Sequence, residues 1–184
     1  MVKKTFFLLA ILAILLFHSC KKDGNENDNN GSSPINTNNY FEYNGQTYDL
    51  SKSFVIEYGP YDKDDVYEFD IYLYSGMTIY NPDSVVGSGN IIGFCIYSPA
   101  SSINSGTYSY SLGYGQAYTY CVGHFQLQYN SSSDWIYTNG GEVSISVDEN
   151  NRFDVSFDCM IEPGQTIKGR YIGTPVFYDD TGWK

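Results

Sequence analysis

Apolar and polar residues alternate with a period of two along most of the chain. Between Tyr67 and Leu73, the residues Tyr67, Phe69, Ile71 and Leu73 share one face, while Glu68 and Asp70 take the other. Successive strand residues point to opposite sides, so this pattern predicts strands with one dry and one wet face. The clearest unit lies between Val143 and Cys159. Val143, Ile145 and Val147 point one way and Ser144, Ser146 and Asp148 the other. After the polar turn, Phe153, Val155, Phe157 and Cys159 face in while Asp154, Ser156 and Asp158 face out. Such patterns joined by a short turn predict a hairpin. Tyr40 to Tyr43 and Gln46 to Leu50 flank an Asn44-Gly45 turn and predict another. Further predicted strands are 53–58, 91–97, 106–110, 118–129, 165–172 and 175–178. No stretch keeps a helical period over three turns. The expected fold is all-β: one antiparallel domain of about 8–10 strands, either a β-sandwich or a lipocalin-like up-and-down barrel.

The first residues follow a different rule. Lys3 and Lys4 precede an unbroken apolar run from Phe6 to Phe17, followed by His18, Ser19 and Cys20. A basic start and about a dozen apolar residues make a secretory signal, whereas a bilayer-spanning helix needs roughly 20. The sequence therefore divides into a signal peptide 1–19, a linker 20–39 rich in asparagine and other polar residues, and the β-domain 40–184. The D-G-N-E-N-D run in the linker lacks the glycine and closing glutamate of a calcium loop.

The segment L-F-H-S-C resembles a bacterial lipobox, with cleavage between Ser19 and Cys20 and lipid on Cys20. The continuation S-C-K-K-D is similar to exported lipoproteins of the Bacteroidota. The resemblance covers only the N-terminus. It implies a lipid anchor through acylated Cys20, palmitate-like chains included, each buried methylene contributing about 0.8 kcal/mol. Acidic residues soon after the cysteine, here Asp23 and Glu26, imply the outer membrane, with the cell surface favoured over the periplasmic face. Asp83-Ser84-Val85 likewise resembles the short O-glycosylation acceptor of that group, with Ser84 as acceptor in an expected loop.

Charge narrows the partners. The whole chain carries a formal charge of −11, and removing the signal takes away two lysines and no acid. A protein this acidic with no basic cluster repels a phosphate backbone, so nucleic acid is not an expected partner. The composition holds nineteen tyrosines. Several fall among small residues between Gly106 and Tyr120, and Tyr108, Tyr110, Tyr114, Tyr118 and Tyr120 form the candidate ligand-binding surface, suited to a glycan or a protein partner. Tyrosine supplies rigid amphipathic area at low entropic cost. The same residues also suit half-buried strand positions.

Candidate chemistry is sparse. Cys95, Cys121 and Cys159 follow Cys20, and face parity makes Cys121–Cys159 the preferred disulfide if one forms; otherwise all three are buried apolar side chains. No cysteine pair has zinc-ligand spacing, so no metal and no cofactor is expected. His124 is the one histidine after the signal, and its parity with Gln126 and Gln128 predicts a wet face. It lacks the motif of a nucleophile partner. The acids Glu68, Asp70, Asp154 and Asp158 are the candidates for a carboxylate-based glycoside hydrolase, and the Asp62 to Asp65 cluster for calcium, although a solvated turn explains the latter as well. The expectation is a non-enzymatic binding domain, with a lipocalin-like carrier of an apolar ligand and a glycoside hydrolase as alternatives.

Overall fold

A computed structural model of the chain describes residues 38–180, apart from 63, 64, 83, 130–133 and 163. The predicted signal, with Ser19, Cys20 and the predicted linker up to 37, lies outside the described residues. Among the described residues there are twelve strands: β1 (Tyr40–Tyr43), β2 (Gln46–Asp49), β3 (Lys52–Pro60), β4 (Tyr67–Asn81), β5 (Ser84–Ser98), β6 (Gly106–Tyr110), β7 (Thr119–Gln126), β8 (Ile136–Tyr137), β9 (Gly140–Val147), β10 (Phe153–Glu162), β11 (Gln165–Gly173) and β12 (Val176–Asp179). They form one sheet in the order β12-β3-β4-β5-β7-β6-β9-β10-β11-β1-β2, with β8 added on β7.

The all-β expectation holds, with two changes. The sheet is mixed: β12 runs parallel to β3, and β6 parallel to β7. The segment 111–118 is therefore a return loop rather than a hairpin turn. In addition, β4 and β5 are longer than the alternation predicts. Their outer halves, 75–90, pair with each other through two register shifts in a stretch whose glycines and serines read as loop. Gly76 and Gly87 take positive φ there, which L side chains adopt at a cost.

The sheet curls into a half-barrel. Leu50 and Ser51 alone carry the chain from β2, at one margin, to β3, beside the other. So short a link spans about 10 Å, which forces the margins together at this corner. Ser51 N–H donates to the Tyr74 carbonyl (2.9 Å) and Ser75 Oγ to the Asp49 carbonyl (2.7 Å) across the join.

The concave face holds the core. Phe94 of β5 meets Phe157 of β10 at 5.2 Å between ring centres and Tyr120 of β7 at 6.0 Å. Phe41 of β1 meets Phe125 of β7 at 6.3 Å. Phe41, Phe94, Phe125 and Tyr120 are fully buried, each contributing about 2–3 kcal/mol by leaving water. Rings from distant strands thus meet across the interior. A second apolar cluster lies on the convex face, where Phe54, Ile56, Tyr74, Met77 and Ile91 pack beneath Tyr129, Trp135 and Tyr178.

Candidate functional site

The five candidate tyrosines divide between core and surface. Tyr108 and Tyr120 are fully buried, their hydroxyls donating to the carbonyls of Asn104 (2.8 Å) and Gly140 (2.7 Å). Tyr110 is half-buried, its ring 5.4 Å from Tyr120. Tyr114, 63% exposed, and Tyr118, 40% exposed, are the two that face solvent most. The reading of all five as one binding surface is corrected accordingly. Strand alternation sends Tyr108 inward, and a bulge in β7 does the same for Tyr120.

The return loop that carries Tyr114 and Tyr118 is fixed at both ends. Ser109 N–H donates to the Tyr118 carbonyl (3.1 Å), Ser111 N–H to that of Tyr120 (3.0 Å), and Tyr118 N–H to that of Tyr97 (2.8 Å). Thr119 Oγ1 donates to the Gln116 carbonyl at 2.7 Å. Gly115 takes a positive φ where a Cβ would press on the Tyr61 ring, so a bulkier residue would lift the loop. Tyr118 lies over Gly106, and a Cβ at Gly106 would stand 2.7 Å from its ring.

Gly106 also borders a shallow depression of about 510 Å³ on the convex face, lined by Thr107, Ser144, Ser146, Asp154, Ser156 and Arg170. Register explains the grouping. Thr107 of β6 faces Ser144 of β9, which faces Ser156 of β10, which faces Arg170 of β11. Four strands thus lay three hydroxyls and a guanidinium in one row. Arg170 donates to both oxygens of Asp154, at 2.9 and 2.6 Å, so the guanidinium plane is held in place. The hydrogen bonds from Arg170 hold the Asp154 carboxyl below its usual range, with burial a smaller opposing effect. Asp154 therefore stays ionised and is a poor general acid. The sequence marked Ser144, Asp154 and Ser156 as outward-facing, but the signal that joins them to Thr107 and Arg170 is strand order.

A second polar group lies on the convex face of β3, β4, β5 and β7. Asp70 accepts from the hydroxyls of Tyr58 (3.1 Å) and Tyr72 (3.3 Å). Burial raises its pKa to about 6; the two tyrosine hydrogen bonds oppose that rise and the charge of Glu68 adds to it. His124 is also covered rather than wet, correcting the parity reading. Its ring packs 4.5 Å from Trp135 and 5.5 Å from Tyr72, and this burial lowers its pKa to about 4. The apolar cavity beside it, between Phe54, Tyr72, Tyr129 and Trp135, holds about 110 Å³. That is well below the roughly 300 Å³ at which small-molecule pockets begin.

The cysteines do not pair as parity suggests. Cys95 faces Val122 while Ile96 faces Tyr120, which leaves Cys121 as the extra residue of a bulge. The bulge breaks the alternation and brings Cys121 Sγ to 3.2 Å from Cys95 Sγ and 3.7 Å from the Tyr97 hydroxyl. Cys159 stays in the concave core, its sulfur 3.4 Å from the Tyr120 hydroxyl, and burial raises its pKa to about 11. The structure does not bring Cys121 to Cys159.

Ser84 opens β5 opposite Asn81, so the predicted loop is the end of a hairpin, with Asp83 outside the described residues. Asp62 and Asp65 are exposed; Lys63 and Asp64 between them lie outside the described residues. Among the described residues, no group of three or more His, Cys, Asp or Glu side chains is placed to hold a metal ion. Compared with known proteins, the chain matches no family model, and no curated protein and no solved structure is significantly similar to it.

Proposed function

We propose that the chain is an exported lipoprotein, held at a bacterial outer membrane through acylated Cys20, that presents a non-enzymatic glycan-binding domain to the cell surface. The observation that carries the binding reading is the hydroxyl row of Thr107, Ser144 and Ser156. It ends at the clamped Arg170. Sugars present hydroxyls around their rim and C–H groups on their faces. A fixed Arg–Asp pair and neighbouring hydroxyls match the rim. The depression is open and shallow, which suits a chain of sugars better than a small enclosed ligand. The anchor reading rests on the run from Phe6 to Cys20 and on the polar linker that follows it.

The return loop favours a second reading, a protein partner. Leu112 is 81% exposed beside Tyr114, and solvent-facing apolar side chains on a fixed loop make low-entropy anchors. A glycan array and titration with the mature protein separate the two. Arg170→Ala should weaken glycan binding at least tenfold and Ser156→Ala should weaken it too, while Leu112→Ala leaves it unchanged. If both site variants bind as wild type and Leu112→Ala loses a captured protein, the protein reading replaces the glycan one. Intact mass of protein from its native envelope, compared with Cys20→Ala, tests the anchor. Absence of acyl mass on the wild type would end the lipoprotein reading.

A further inference from the structure

Cys95 and Cys121 lie 26 positions apart and on neighbouring strands, yet they are not ladder partners, since Cys95 faces Val122. Regular pairing would direct the two thiols to opposite faces. The bulge at Cys121 removes that obstacle and sets the sulfurs 3.2 Å apart. A disulfide requires about 2.05 Å, so rotation of the two side chains closes the gap with the strands in place. The pair is joined to an acid: Cys121 S–H donates to Cys95 Sγ, and Cys95 S–H donates to Glu68 Oε1 at 3.7 Å. Cys95 is half-buried, while Cys159 is fully buried on the other side of the sheet.

We propose that Cys95 and Cys121 are a redox pair that closes a disulfide on oxidation, stapling β5 to β7. The oxidant is another disulfide, that of a small thiol or of an exchange protein. One thiolate of the pair attacks it, forming a mixed disulfide and expelling the first thiol; the other thiolate attacks the protein sulfur of that bond and expels the second. Two protons and two electrons leave the pair, and the oxidant departs as two thiols. When Cys121 ionises, the Cys95 S–H donates to its thiolate, and this lowers the pKa of Cys121. The staple closes a ring of chain containing all of β6 and the return loop with Tyr114 and Tyr118. Oxidation thereby removes freedom from the segment that borders the hydroxyl row.

The test uses the intact chain incubated with oxidised glutathione, then denatured in the presence of iodoacetamide and mapped by mass. The expected result is a Cys95–Cys121 linked peptide, a loss of two hydrogens, and Cys159 carrying the label. Cys159→Ser should give the same link, whereas Cys95→Ser and Cys121→Ser should give none. If Cys95 and Cys121 both carry label after oxidation, or the link found is Cys121–Cys159, the proposal is overturned. The mapping needs only wild-type protein, so it stands even where a serine variant fails to fold. Because the oxidant is added, the outcome does not depend on export.

Discussion

At the scale of single residues, Asp70 and His124 pull stability in opposite directions as pH falls. His124 takes up a proton near 6.5 in an unfolded chain but only near 4 in the fold. Between those values the unfolded state binds more protons, so acidification destabilises through His124. Asp70 takes its proton near 3.8 unfolded but near 6 when folded. The folded state then binds more protons, and acidification stabilises through Asp70. The two effects overlap between about pH 4 and 6, each on the order of 2 kcal/mol once solvent screening is allowed for. Relative to wild type, Asp70→Asn should lose stability more steeply as pH falls from 6 to 4. His124→Gln should lose it less steeply, or gain. Urea midpoints measured across that range check both slopes; three superimposable profiles would show that neither group titrates with a shifted pKa.

At the scale of elements, register shifts decide which side chains meet. The shift in β7 turns Cys121 toward Cys95, and those in the β4–β5 hairpin let it extend beyond β3 and β7. Glycine marks such places for different reasons. At Gly141 the φ is +98° and a Cβ would collide with the Asp158 carbonyl, so neither conformation nor space admits a side chain. At Gly45 the φ is +73° but nothing lies within 4 Å of a Cβ. Gly141→Ala should cost about 3 kcal/mol or more, and Gly45→Ala only about 1 kcal/mol. Thermal or urea unfolding of the two variants checks the contrast. Equal costs would mean that β9 can move away from β10 at this point.

At the scale of the whole molecule, the curl converts a single sheet into a core. Phe94 is the clearest case, since it touches Tyr120 on the adjacent strand and Phe157 on a strand several places away. Removing it empties the space between those strands, and Phe94→Ala should cost about 3–5 kcal/mol. Exposed Leu112→Ala, by comparison, should stay within about 0.5 kcal/mol. Equilibrium unfolding measures both. A Phe94→Ala loss below 1 kcal/mol would mean that the interior is loosely filled and open to an apolar guest, which favours the carrier reading.

The sequence by itself determined what depends on neighbours along the chain. Alternation at 67–73, 143–147 and 153–159 located strands and their inward faces, because one wet and one dry side imposes a period of two on any such strand. Asn44-Gly45 placed a turn for an equally local reason, a positive φ at both positions. What only the tertiary structure decided depends on residues far apart. Strand order placed Thr107, Ser144, Ser156 and Arg170 in one row; no spacing encodes which strand lies beside which. A bulge overrode the parity that pointed Cys121 at Cys159, and one extra residue is invisible in a pattern read two by two. The covering of His124 by Trp135 followed from the pairing of β8 with β7, which changed a wet-looking histidine into a packed one. Local sequence fixes which way a side chain points, while the curl and order of the sheet fix what it meets.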